Sequence, residues 1–240
     1  VDGVIQGATC CRRAHRDQAG LMIITRHGFR EIAVVGVVLA ALVGALCWAW
    51  PGAWPAFVIP AALILLAVTL FFRDPRRVTP ADPRVMVAPA DGKVVEISEA
   101  DEPWFLGQSA RKIAIFMSVL SVHVNRSPCA GRVEKVHLRP GQFLNAMRAE
   151  ASAQNEASLI AIQNTEVNQP VLLMQIAGLV ARRVVCAVAP GDELARGQRI
   201  GVVKFGSRAE VYVPKSAPFR WRVKLGDSVR AGVTILGEWL

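Results

Sequence analysis

The ten residues GDELARGQRI, Gly191 to Ile200, decide the fold, because they return as GDSVRAGVTI at Gly226 to Ile235. Both copies follow the pattern Gly-Asp-x-apolar-x-x-Gly-x-x-Ile. The Gly-Asp pair supplies a turn, with Asp192 and Asp227 each behind a turn glycine. Leu194 and Val229 pin those turns to a core, and the second glycine lets the returning strand pass close.

Paired hairpins of this kind resemble the barrel-sandwich architecture of biotinyl and lipoyl carrier domains. Those carriers hold their cofactor on a hairpin-tip lysine, commonly in a Met-Lys-Met setting. No such tripeptide occurs here, so the repeats read as structural turns. Around them the sequence is β-rich from about residue 86 to 240. Short apolar runs such as RKIAIFM (111–117), VLLMQIAGLVARRVVCAV (171–188) and AEVYVP (209–214) are separated by Gly, Pro and Asp turn signals. One helix is expected over residues 143–160.

Upstream, the polar, Pro-rich RDPRRVTPADPR marks a linker over 73–85. Before it, residues 32–72 carry no charge at all. Pro51, Gly52 and Pro55 divide this run into Ile32–Trp50 and Ala53–Phe72, each about 20 residues and close to the hydrocarbon thickness of a bilayer as helix. The reading is a transmembrane helical hairpin over 31–72, with Trp48, Trp50 and Trp54 at its turn, where amphipathic rings favour the interface. A signal peptide fits worse, since the run is too long and too far from the terminus. The fold class expected is therefore α+β, mainly β: an N-terminal membrane hairpin, then a β-rich domain with barrel-sandwich-like hairpin repeats.

Arg26 and Arg30 precede the hairpin, and Arg73, Arg76 and Arg77 follow it. A hairpin returns the chain to its starting side, so the positive-inside bias puts both ends, and the β-rich domain, on the cytoplasmic side of the cell's inner membrane. The formal net charge of +9 suits an anionic partner. No basic run alternates with aromatics, so an anionic membrane surface is expected and nucleic acid is not. Cys10, Cys11, Cys47, Cys129 and Cys186 show no CxxC spacing, and reduced thiols are expected. Residues 1–30 form a basic N-terminal segment; Met22 is an alternative start, and residues 1–21 are given no role.

Few polar residues in the β region can do chemistry. Asp91 sits in APADGKV, His123 in LSVHVNRSP, His137 in KVHLRPG, and Ser207 in GVVKFGSRAEVYVP (201–214). A lone Asp-Gly is ordinarily a turn, a lone His in an apolar run ordinarily a satisfied core residue. Neither HExxH nor GxSxG occurs, and two scattered histidines are too few to hold a metal.

Six motifs in one order change the weighting: FFRDPRRVTP (71–80), APADGKV (88–94), FMSVLSVHVNRSP (116–128), HLRPGQFLNA (137–146), QIAGLVARRVVC (175–186) and VKFGSRAEVYVP (203–214). Together they resemble the short-form, pyruvoyl-dependent phosphatidylserine decarboxylase proenzymes, from about Ile24 to near the C-terminus. The resemblance implies autocatalytic cleavage between Gly206 and Ser207. Ser207 then becomes a covalent pyruvoyl cofactor, and the products are a β chain, 1–206, and an α chain, 207–240, held as a heterodimer. A dimer of that pair is also expected.

Oγ of Ser207 must attack the Gly206 carbonyl carbon in a strained geometry, which a side chain at 206 is expected to obstruct. A serine hydroxyl needs a base, commonly a His held by a carboxylate. By resemblance Asp91 is that carboxylate and His123 the base. Long-form members carry His-x-x-His where this chain has HVNR, and Arg126 stands at the second position. That departure leaves the cleavage base open among His123, His137 and another group, with His123 favoured. The substrate implied is phosphatidylserine, condensing with the pyruvoyl ketone as a Schiff base and leaving as phosphatidylethanolamine after CO2 loss. His123 is the implied proton donor, and Arg126 and His137 are candidates for holding the substrate. The rival readings are a membrane-anchored barrel-sandwich adaptor without catalysis, a lipid-binding pseudoenzyme, and a decarboxylase of an archaetidylserine-like lipid.

Overall fold

The apolar run folds as two helices, α1 (Phe29–Ala49) and α2 (Trp54–Phe71), joined by a single 3-10 turn, Pro51–Ala53. Pro51 and Pro55 both stand in first-turn positions, where a missing N–H costs nothing. Thr69 satisfies its hydroxyl within α2 by donating to the Leu65 carbonyl at 2.7 Å. The spans Phe29–Ala49 and Pro51–Phe71 are almost wholly apolar, yet nearly all of their side chains lie outside any core. A core helix of this hydropathy would be covered. Val37, Leu42, Ile59, Leu63 and the three turn tryptophans stand exposed instead, as a membrane hairpin requires.

The computed structural model describes residues 28–148, 150–179, 184–203 and 206–240. The expectations attached to residues 1–27, including Cys10, Cys11, Met22 and Arg26, lie outside the described residues, as do Lys204 and Phe205. The chain separates into two compact units, the hairpin unit ending at Arg76 and a β-rich unit from Arg77 to Leu240.

In the β-rich unit the strands are β1 (Val85–Val87), β2 (Gly92–Glu102), β3 (Gln108–Met117), β4 (Val124–Arg126), β5 (Gly131–Arg139), β6 (Ala157–Asn164), β7 (Gln169–Ile176), β8 (Val184–Cys186), β9 (Glu193–Leu194), β10 (Arg199–Val203), β11 (Ser207–Pro214), β12 (Phe219–Trp221), β13 (Ser228–Val229) and β14 (Ile235–Trp239). A large sheet runs β13-β2-β3-β11-β7-β6-β5-β9, and two small sheets run β1-β14-β12 and β4-β10-β8. All three feed one core, in which Met86, Ile113, Met117, Ile160, Leu173, Ile200, Val211 and Leu236 are fully buried.

The two copies of the repeat occupy equivalent places, at opposite edges of the large sheet. β9 pairs β5 through Leu194↔Gly131, and β13 pairs β2 through Val229↔Gly92. Asp192 Oδ2 accepts from Ala189 N at 2.9 Å, and Asp227 Oδ2 accepts from Lys224 N at 2.8 Å. The correspondence extends upstream. Val87 N donates to the Pro128 carbonyl and Arg126 N to the Pro89 carbonyl, so PADG (89–92) and PCAG (128–131) are matched turns.

The helix expected over 143–160 is corrected. Only α3 (Ala151–Gln154) is helical there, and 157–164 is strand β6. Ile160 and Ile162 enter the main core while Ala157 and Leu159 enter a second cluster on the opposite sheet face. A strand buried on both faces reads as a continuous apolar run, which periodicity cannot tell from a buried helix.

Candidate active site

Residues 201–214 form two strands in different sheets. β10 ends at Val203 beside β4 and β8, and β11 begins at Ser207 between β3 and β7. The chain crosses between the sheets through Gly206, whose φ is +61°. A β-carbon at Gly206 would meet nothing within 4 Å. Glycine is needed there for its left-handed backbone.

Ser207 is fully buried and pairs with Met117 on β3. Its Oγ lies 3.5 Å from the Val203 carbonyl oxygen and 3.8 Å from Met117 Sδ. Both are long for an O–H donor, so the hydroxyl is not committed to a strong acceptor. A buried polar chain continues behind it: Asn125 Nδ2 donates to Met117 Sδ at 3.4 Å, and Gln175 Nε2 donates to Asn125 Oδ1 at 2.8 Å. Sequence reasoning missed Asn125 and Gln175, although Gln175 is an amide within the apolar run 171–177.

His123 is 2% exposed and lies on the segment joining β3 to β4. Its carbonyl accepts from Val203 N at 3.3 Å, which ties it to the last residue of β10. The end of β3, the end of β10 and the start of β11 therefore meet around Ser207, with His123 on one of the joining segments.

Asp91 lies at the same end of the large sheet. Residue 93 of β2 pairs with Phe116 of β3, which pairs with Arg208 of β11, so two strand spacings, about 10 Å, separate Asp91 from the Ser207 strand. Oδ1 of Asp91 accepts from Ala231 N at 2.7 Å and Oδ2 accepts from Arg77 Nη2 at 2.7 Å. The matched turn PCAG has Ala130 at this position, so the turn itself does not demand a carboxylate. Arg77, one of the basic residues that follow the hairpin, has a side chain only 12% exposed and paired to Asp91.

Arg126 is 8% exposed, and its Nη1 donates to the Gly197 carbonyl at 3.0 Å, within the first repeat turn. His137 is placed elsewhere. It lies on β5, three places from β11 in the sheet order and paired with Leu159 of β6, and its ring lies 6.0 Å from that of Trp104 on the face opposite Ser207. The structure brings Ser207, Gly206 and the His123 segment together, and leaves His137 apart from them.

Burial pushes the Cys129 thiol up to about 12 and also raises Cys186, so neither is a ready nucleophile. Among the described residues no three His, Cys, Asp or Glu side chains converge as a metal site. The arrangement can support chemistry at one peptide bond, in which a loosely held buried hydroxyl follows a glycine in a left-handed conformation.

The family model described as phosphatidylserine decarboxylase matches residues 64–237. A phosphatidylserine decarboxylase proenzyme of Cupriavidus pinatubonensis is 45% identical over 216 residues, covering 90% of this chain and 95% of that relative. Proenzymes of the same name from Burkholderia mallei and Burkholderia lata are 45% and 44% identical over 218 residues, covering 90% of this chain and 95% and 96% of the relatives.

Proposed function

This chain belongs to the phosphatidylserine decarboxylase proenzyme family, a family of carboxy-lyases, and we propose that it acquires a pyruvoyl cofactor by cutting itself between Gly206 and Ser207 at a membrane surface. The observation that carries the reading is the buried Ser207 hydroxyl behind a glycine held at φ +61°.

The residues fit the group. Serine supplies the carbon skeleton, and β11 pairs along both sides, with β3 and β7, so residue 207 stays anchored once its bond to 206 is gone. In the cut, Ser207 Oγ bonds to the Gly206 carbonyl carbon as its proton passes to a base, for which His123 is the candidate. The C–N bond then breaks, the nitrogen takes a proton, and an ester links the two chains. Loss of the Ser207 α-proton expels the Gly206 carboxylate from Cβ and leaves dehydroalanine. Tautomerisation and hydrolysis exchange the nitrogen for oxygen and release ammonia.

The resulting ketone, conjugated to an amide carbonyl, supplies an electron sink for decarboxylation of the serine headgroup. His123 is the candidate to return a proton to the substrate's Cα. Asp91 supports the site through the Arg77 pair and the Ala231 turn rather than by contact with reacting atoms.

A two-chained lipid does not leave the bilayer, so this end of the sheet must face it. The turns at the Ser207 end carry Val119, Leu120, Met147 and Leu179, each at least half exposed. At the opposite end the turns 103–107, 165–168 and 215–218 expose no large apolar side chain, Trp104 and Phe105 there being half-buried. This asymmetry supports entry of the headgroup between apolar turns that meet the membrane, with the hairpin as anchor and the cytoplasmic side favoured by its basic flanks.

Reductive labelling tests the reading. Borohydride-type reduction with phosphatidylserine should inactivate the enzyme and add lipid mass to fragment 207–240, with none on 1–206. Ser207→Ala should stay uncut and unlabelled. Labelling on Lys93 or Lys204 would contradict a self-made carbonyl.

A further inference from the structure

The wall around the bond to be cut holds a residue that neither strand pairing nor turn chemistry explains. A β-carbon built on Gly178 would fall on the Gly206 carbonyl oxygen, 2.8 Å from the Gly206 carbonyl carbon and 3.5 Å from Ala146 Cβ. Gly178 is absent from the glycines with positive φ, so its backbone would accept other residues. Its requirement is purely one of space. The situation at Gly206 is the reverse, with open space and a left-handed backbone.

One buried side chain holds both segments of this wall. Asn155 Nδ2 donates to the Ala177 carbonyl, beside Gly178, at 2.8 Å and to the Leu144 carbonyl at 2.8 Å. Its Oδ1 accepts from Leu144 N at 2.9 Å. Asn155 and Ala146 are both fully buried. Residues 144–146 and 177–178, distant in sequence, are thereby fastened to each other where they meet the Gly206 carbonyl.

We propose that Gly178, fixed by Asn155, is a positioning residue for self-cleavage, pressing its Cα against the Gly206 carbonyl oxygen and so fixing the plane of the bond that Ser207 attacks. The inference rests on the cleavage reading above. Ser207 is held by strand pairing on one side of the bond, and without a stop on the other the 206 carbonyl could rotate away from Oγ. The stop acts by packing and a Cα–H···O contact. Displacing a reacting group by about 1 Å costs on the order of 100-fold in rate, and a methyl group at 178 cannot be accommodated with less movement. After the cut, Gly206 is a chain end that can move aside, so the constraint ends there.

The test follows the full chain by intact mass over time, then measures CO2 release per mole of carbonyl formed. Gly178→Ala should slow cleavage about 100-fold, leave turnover per carbonyl unchanged, and accumulate a precursor that hydroxylamine does not cut, since the ester never forms. Should Gly178→Ala fail to fold, Asn155→Ser, which drops both donors, should show the same slow cleavage with unchanged turnover.

Parental-rate cleavage in every folded variant would overturn the proposal while leaving the cleavage reading intact. So would a hydroxylamine-cleavable precursor, which would put the block after the ester, or a parallel fall in turnover per carbonyl, which would mark a general structural role. A parental chain that never cuts would instead remove the cleavage reading itself.

Discussion

At the scale of single residues, the two glycines beside the candidate cut serve opposite needs. Gly206 supplies a backbone conformation and Gly178 supplies space. Gly206→Ala should therefore fold, at a cost of about 1–2 kcal/mol for a left-handed alanine, with a lowered melting temperature and slower cleavage; unchanged stability would show that 206 is not held left-handed. His123→Ala should accumulate precursor, with cleavage slowed on the order of 10²- to 10⁴-fold if His123 is the base. Asp91→Ala discriminates two roles, because its carboxylate holds Arg77 and Ala231. The variant should lose stability and accumulate precursor in gel and mass analysis, and cleavage at the parental rate would confine Asp91 to the turn. The Gly206-Ser207 pair was legible only through the family resemblance that VKFGSRAEVYVP carries. Gly178 was not, since its neighbour is brought to it only by the fold, and neither was the Arg77–Asp91 pair, because charge alone does not say which carboxylate a guanidinium meets.

At the scale of elements, β11 ties the candidate α chain to the rest. Its core face carries Ser207, Ala209, Val211 and Val213, and its other face carries Arg208, Glu210 and Tyr212, all nearly or fully buried. Arg208 Nε donates to Glu210 Oε1 at 2.6 Å, and Arg208 also pairs with Glu96 of β2. Burial alone would raise the Glu96 pKa, but hydrogen bonds from Lys112, Ser98 and Arg208 outweigh it and hold the carboxyl at about 2. A carboxyl depressed in the folded state stabilises above its unfolded value near 4.5, and that contribution is lost as pH falls toward about 2. Denaturation of the Ser207→Ala precursor across this window should therefore show falling stability, and Glu96→Gln should flatten the dependence. An unchanged slope in Glu96→Gln would assign the acid sensitivity to other groups. Short apolar runs between turn signals marked β3, β7 and β11, and the repeat marked the turns at β9 and β13, but the apolar run of β6 was read as helix because periodicity cannot tell a strand buried on both faces from a buried helix.

At the scale of the whole molecule, an uncharged run gave away the hairpin, and a ten-residue repeat gave away the edges of the large sheet. The matched upstream turns PADG and PCAG stayed hidden because only the glycine and proline are shared, and backbone hydrogen bonds carry the likeness. The exposed helices α1 and α2 predict retention in the membrane fraction at high salt, because burial of apolar surface is not screened whereas basic flanks are. Release by salt alone would mean that the hairpin is not inserted. Substituting Asp for Leu120 and Leu179 should weaken activity on phosphatidylserine vesicles more than on detergent-dispersed lipid, and equal losses on both would contradict contact between these turns and the bilayer. The central claim is that one peptide bond is made to break, and the intact mass of the purified full chain under denaturing conditions tests it most directly. The account predicts two species, one ending at Gly206 and one spanning 207–240 without an α-amino group. A single uncut chain in an active preparation would contradict it.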